Sequence, residues 1–534
     1  MKKRFLALLL ALVMALGCCA CGGAEGGDAA ASADGGNVVA LAMGTGFSSL
    51  DPGYCYEKYP ALVINACYET LFKFYSNDGA AEPCLAETYE FSDDNMTLTM
   101  TLREGATFVS GNPVTSEDVK FSLNRTKNLK GNPSFITDTI ESIETPDEQT
   151  VILHLTQPDS AILSKLTYSA LAILDSKVVM ENGGTDAEDA ATADTAQSYL
   201  DTTTAGSGMY VMTSYKPDDE IILEKNPNYS GEATNVDKYI IKIQPDANTQ
   251  MMTLSNGDID IAMNLTKDTA AELEGKDNVV MEAVASKTVS FVMMNMDEQY
   301  GGPVSDPLVQ QAIRKAIDYA GIQSICGEGT TTPYSLIQTG FMGSLGERST
   351  DYTNVEEAKA LLAEAGYPDG FEVDMTVSDL AMEGILLTDL AQKVKDDLAQ
   401  IGITVNIVTL PWAAGYGDQY RDGTLGFTVM YWGIDYNDPN VQLEFLPGAT
   451  VGLRANWTAD MDPDLAALYT AAMEATDNEA RTAVLEDIQE GMYENGPFVM
   501  IAQAPVYLGY NSRLTGVEIS DPYVVDVTLI NVAE

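Results

Sequence analysis

The sequence predicts an α/β protein of the mixed α+β kind, with strands and helices interleaved along most of its length. Three observations predict it. Apolar stretches of period two alternate with stretches of 3.6-residue period. A chain of 534 residues with 45% hydrophobic and 20% charged content has ample apolar material for folded cores. No repeat of fixed period appears, which excludes solenoids and propellers. The length implies roughly two to four folded units.

The elements follow in chain order. Lys2, Lys3 and Arg4 precede the apolar run Phe5 to Leu16. Its twelve residues are too few to span a bilayer, for which about 20 are needed, so the run reads as a signal peptide over residues 1–17. Met14-Ala15-Leu16-Gly17-Cys18 resembles the lipobox of bacterial lipoproteins, where the cysteine is acylated after cleavage. Cys18 is the expected lipidation site and Cys21 the alternative. Residues 22–36 are only Gly, Ala, Ser, Asp and Glu, so residues 18–36 form a flexible tether. Met96, Leu98, Met100 and Leu102 alternate with threonines as a half-buried strand. Thr115 and Asp118 form a near-capping box that opens a helix from Glu117 to Arg125. Val151, Leu153 and Leu155 give another strand. Asp306 and Pro307 supply the N-cap and first residue of a helix that turns Val309, Ala312, Ile313, Ala316 and Ile317 inward. Val355, Ala358, Leu361, Leu362 and Ala365 mark a further helix, stopped by Gly366 and Pro368. Leu387, Leu390, Val394, Leu398 and Ile401 mark one stopped by Gly402, after which Ile403, Val405 and Ile407 alternate as a strand.

Composition narrows the function. With 29 basic against 79 acidic residues the net charge is −50, which repels phosphate backbones and anionic lipid headgroups. Nucleic acid is therefore not an expected partner, and contact with a membrane is expected only through the lipid anchor. Catalytic constellations are thin. The one histidine, His154, falls on the strand face opposite Val151, Leu153 and Leu155, and no G-x-S-x-G elbow accompanies it. One imidazole cannot build a His-rich zinc site, and no phosphate-binding glycine loop is present. No catalytic residue, metal or cofactor is expected. Cys55, Cys67, Cys84 and Cys326 lack metal-ligand spacing; a bridge from Cys55 to Cys67 or Cys84 and buried free thiols are both open.

Several motifs then carry a resemblance. Leu85-Ala86-Glu87, Ser92-Asp93-Asp94, Leu102-Arg103-Glu104-Gly105-Ala106-Thr107-Phe108 and Gly111-Asn112-Pro113-Val114-Thr115-Ser116-Glu117-Asp118-Val119 resemble the signature of family 5 extracellular solute-binding proteins. Gly206-Ser207-Gly208-Met209-Tyr210 and Leu223-Glu224-Lys225-Asn226-Pro227-Asn228-Tyr229 continue it, with Met209 where proline is usual and Ser230 where an aromatic residue is. Val309 to Asp318 and Ala358 to Gly370 extend the likeness, which covers roughly residues 47–510 in the family's order.

The resemblance implies a bilobal, periplasmic-binding-protein-like fold with a hinge of two crossover strands and an extra inserted subdomain. Its expected parts are a base lobe of residues 37–73, 206–290 and 505–534, an inserted subdomain of 74–205, and a second, ligand-closing lobe of 291–504. It also implies a non-enzymatic, monomeric lipoprotein outside the cytoplasm, anchored to the cell membrane, on its extracellular face or in the periplasm. Such a protein captures di- or oligopeptides for an ABC importer's permease subunits and their ATPase. A non-peptide cationic solute, such as a metal chelate or an amine, is the alternative cargo, and a secreted carboxylate-dependent hydrolase the remote one. Peptide-binding members place an aspartate of a W-x-x-D-Y-x-[DE]-P stretch on the peptide's α-ammonium. Trp432-Gly433-Ile434-Asp435-Tyr436-Asn437-Asp438-Pro439 matches that stretch, so Asp435 is the expected anchor, with Trp432, Gly433, Ile434 and Tyr436 beside it. Tyr54, Tyr56 and Lys58, ahead of Tyr68-Glu69-Thr70-Leu71, are the expected opposite wall.

Overall fold

A computed structural model describes residues 36–44, 49–75, 80–521 and 523–533. The signal peptide, Cys18, Cys21 and nearly all of the tether lie outside the described residues. A seven-stranded mixed sheet organises the first core, in the order Val279–Ala285, Pro505–Asn511, Ile261–Leu265, Val38–Met43, Lys238–Ile243, Glu220–Lys225, Tyr210–Lys216. Val38–Met43 runs parallel to both neighbours, pairing Leu41 with Ile241 and with Ile261. It is a short apolar run because both of its faces are covered. Val39, Leu41 and Met43 face a core shared with Ile221, Leu223, Tyr239 and the helix Lys58–Cys67, while Ala42 faces Leu254, Ile259 and Leu273.

The inserted subdomain has its own core. Its four-stranded antiparallel sheet runs Ala86–Phe91, Thr97–Leu102, Thr150–Leu155, Ile140–Glu144. The expected alternation holds: Leu98, Met100, Leu102, Val151, Leu153 and Leu155 are all buried. The helix Ser116–Leu129 carries the Thr115–Asp118 capping box and lies over this core through Val119 and Leu123. His154 is half-buried on the other sheet face, 3.3 Å from Glu144. Residues 176–200, expected within this subdomain, instead send Val179, Ala196 and Leu200 into the base-lobe core. Arg125 ties the two bodies. It forms a bidentate pair with Asp51 at 2.8 and 2.7 Å and a second pair with Asp194, all three groups buried.

A separate core forms the second lobe. Its antiparallel sheet runs Phe427–Trp432, Val289–Met294, Phe498–Ala502, and Glu372–Val377 pairs in parallel with Thr404–Thr409. Phe291, Phe445 and Phe498 meet edge-to-face at 5.0–5.8 Å. Helices Pro307–Ala316, Val355–Glu364 and Leu387–Ala399 cover these sheets, and Asp306 caps the first by accepting from the Leu308 N–H at 2.8 Å. Val309, Ala312, Ile313, Ala316 and Ile317 are buried as the spacing predicts. The chain passes between the lobes at residues 285–289 and 502–505, and these crossovers are bonded by the Ser286 N–H to the Ala504 carbonyl at 3.0 Å. That pairing is a hinge in its simplest form. Cys55, Cys67, Cys84 and Cys326 are free thiols.

Candidate functional site

The strand Phe427–Trp432 ends beside the hinge, with Trp432 opposite Val289, and delivers the loop 433–438 to the cleft between the lobes. The loop ends firmly. Asp438 caps the 3-10 helix Pro439–Phe445, accepting from the Asn440 N–H at 2.9 Å, and Arg481 pairs with Asp438 from behind. Pro439 suits the first helical position because it has no N–H to lose.

Asp435 lies between these supports. It is half-buried by exposed area, yet protein surrounds it at depth, as in a narrow cleft. Burial pushes its carboxyl up to about 7; the Tyr56 hydrogen bond and Arg454 oppose the rise, and the negative charge of Glu444 adds to it. Among the described residues no ammonium or guanidinium lies within ion-pair distance of Asp435. Tyr56 comes from the base lobe, on the turn in which Asp51 accepts from the Gly53 N–H at 3.0 Å. Tyr168 comes from the inserted subdomain, and burial together with the Asp435 charge disfavours its ionisation. All three parts of the molecule therefore meet at one carboxylate.

Trp432 forms the wall beside it. Its ring meets Phe445 edge-on at 5.6 Å and the Arg454 guanidinium at 5.5 Å, and its indole N–H is buried without a hydrogen-bond partner. A Cβ added to Gly433 would meet only the Thr288 hydroxyl, at 3.8 Å, which leaves space for a ligand backbone. Glu444 is half-buried and holds only long contacts, from Tyr469 Oη at 3.5 Å and the Thr450 N–H at 3.3 Å.

Of the other expected residues, Ile434 and Tyr436 flank Asp435 in the loop but bury their side chains, and Tyr54 and Lys58 are engaged apart from it. The Ile434 side chain packs into the second-lobe core, and Tyr436 is buried with the Lys165 ammonium 5.8 Å from its ring centroid. Tyr54 sits against Gly131, near the Asp51–Arg125–Asp194 cluster. Lys58 is held by Glu383 at 3.1 Å and the Thr288 hydroxyl at 3.3 Å. The structure thus brings Asp435, Trp432, Gly433 and Tyr56 together, and adds Tyr168, Glu444 and Arg454. Of these three only Glu444, nine residues past Asp435 and five past the end of its motif, lies close enough in the chain to have been sought from the motif. No group of His, Cys, Asp or Glu suited to a metal ion occurs among the described residues, and no helix there is long and apolar enough to cross a membrane.

Two lobes, a paired crossover and a carboxylate enclosed between them define a two-lobed solute-binding protein with its site in the cleft. The comparisons make the class specific. Residues 80–452 match the model for bacterial extracellular solute-binding proteins, family 5 Middle, and the chain belongs to that family, one of binding proteins rather than enzymes. It is 26% identical over 500 residues to a heme-binding protein of Haemophilus influenzae, covering 87% of this chain and 89% of that one. Similarity of 26% over 482 residues extends to a probable D,D-dipeptide-binding periplasmic protein of Escherichia coli, covering 88% and 89%. Among solved structures, the periplasmic binding protein DppA of Helicobacter pylori with the peptide STSA superimposes with a TM-score of 0.75 at 22% identity, covering 93% and 98%. That likeness concerns the fold.

Proposed function

We propose that this protein captures peptides by their α-ammonium at Asp435 and delivers them to the permease of an ABC importer. It does so outside the cytoplasm, tethered to the membrane by a lipid on Cys18. The observation that carries the reading is the state of Asp435: a carboxylate raised to about 7, enclosed by three bodies, with no cation within ion-pair distance among the described residues. A carboxylate so placed gains most from a ligand that brings its own positive charge, because both groups are then compensated away from water. The tyrosines around it supply hydroxyls and ring faces, which suit an ammonium. Space at Gly433 admits an extended backbone, the part of a peptide common to all sequences. The peptide-binding names among the relatives support the same reading.

Mass spectrometry of the natively purified protein tests it. Co-purified peptides with free N-termini are expected. A bound amine or chelate without peptide bonds would replace the peptide reading with the cationic-solute reading, and steady release of a cleaved product would overturn both.

A further inference from the structure

Lys58 opens the helix Lys58–Cys67, whose Leu62 and Ile64 are buried in the base-lobe core. Glu383 lies at the tip of a hairpin in which Ala381 pairs with Leu386 and Met382 with Ile385, and Met382 is buried in the second-lobe core. The 3.1 Å bond between Lys58 and Glu383 therefore joins the two cores. Both side chains are partly withdrawn from water, with exposures of 33% and 19%. The same Glu383 oxygen accepts from Ser286 Oγ at 3.0 Å, and Lys58 donates to Thr288 Oγ1 at 3.3 Å. Ser286 and Thr288 belong to the crossover at 285–289, so base lobe, second lobe and hinge share one knot.

The backbone points the same way. Glu383 has φ +46° and Gly384 φ +81°, so both turn residues are left-handed, as a two-residue hairpin loop requires. Glycine, asparagine and aspartate suit the first of these positions; glutamate is strained there. Strain kept at a contact between bodies is a reason to look for a function. A Cβ added at Gly384 would lie 3.4 Å from Thr266, so the tip rests directly on the base lobe.

We propose that Glu383 is a positioning residue that latches the lobes: its bond to Lys58 stabilises the closed cleft and so sets the fraction of molecules competent to hold ligand. Lys58 then acts on closure and not on the ligand. The latch does not depend on the ligand being a peptide.

Spin labels on cysteines replacing the exposed Met252 of the base lobe and Met461 of the second lobe report the interlobe distance directly. In a full chain with Cys84 and the cysteines ahead of residue 36 replaced by serine, the ligand-free ratio of short to long distances is the reference. Glu383→Gln and Lys58→Met should each lower the ratio of short to long distances by about tenfold, between the effects of exposed and buried pairs. The double variant should do little more than either single one. With alanyl-alanine as probe, affinity should fall by the same factor as the closed fraction. Glu383→Gly separates latch from fold: it relieves the left-handed strain and should raise the melting temperature while still opening the cleft. Distance distributions unchanged in both single variants, or in Glu383→Gly, would overturn the latch. A shifted distribution in a protein that binds no peptide would sink the peptide reading and leave the latch standing.

Discussion

Asp435→Asn removes the charge at the centre of the cleft while keeping shape and an acceptor for Tyr56. The carboxyl stands at about 7, roughly three units above an ordinary aspartate. At 1.36 kcal/mol per unit, complete burial would mean a destabilisation of about 4 kcal/mol for the ligand-free fold at alkaline pH. Asp435 is only half-buried, and solvent screening reduces this to about 1–2 kcal/mol. The sign follows from a folded pKa above the unfolded one. The destabilisation is absent below about pH 4, grows as pH rises, and is complete above about pH 7. Asp435→Asn should therefore raise the melting temperature of ligand-free protein at pH 8 and change it little at pH 4. Ligand binding moves oppositely. A hydrogen bond to a charged group contributes about 1.5–3 kcal/mol, so affinity for a free dipeptide should fall by at least about tenfold. Calorimetry at pH 8 with free and N-acetylated dipeptides on both proteins forms a double-mutant cycle. Acetylation should weaken binding to wild type and matter much less in Asp435→Asn. Equal binding of free and acetylated peptide by wild type would refute the ammonium contact. A lowered ligand-free melting temperature in the variant would refute the uncompensated charge.

Affinity for α-ammonium ligands should rise with pH toward about 7, by at most about tenfold per unit, because ligand must displace the Asp435 proton; titrations from pH 5 to 7.5 in buffers of different ionisation enthalpy would show that release, and a flat profile would exclude it. Arg125→Met strands the buried Asp51 and Asp194 carboxylates and should destabilise the fold by about 3–5 kcal/mol in denaturant titration, whereas a loss under about 1 kcal/mol would mean that the cluster relaxes into water. Cys18→Ser should shift the protein from the membrane to the soluble fraction or medium, while retention by Cys18→Ser and release by Cys21→Ser would move the anchor to Cys21.

Much of the molecule was legible in the sequence because its signals are local. Alternation at 97–102 and 150–155 and the Asp306–Pro307 start of the helix at 307–316 each need only neighbouring residues, since strand pleat and helix pitch repeat within a few positions. The stretch from Trp432 to Pro439 was picked out differently, by its resemblance to a family motif that is continuous in the chain. The opposite wall was not legible. Tyr54, Tyr56 and Lys58 lie within five residues, yet one packs near Arg125, one meets Asp435 and one joins Glu383. Where each side chain points depends on what the second lobe and inserted subdomain bring against it, and those partners lie as far away as residue 435 in the chain. The placement of residues 176–200, whose Val179, Ala196 and Leu200 join the base-lobe core, was likewise not visible in the sequence, because it depends on contacts distant in the chain. The carboxyl of Asp435 is the sharpest instance. Its residue type was determined by sequence, but its charge state follows from desolvation in the folded cleft, opposed by the Tyr56 hydrogen bond and Arg454 and reinforced by Glu444, and none of these residues adjoins it in the chain. Long-range electrostatics and burial exist only once the chain has closed on itself, and they were decided by tertiary structure alone.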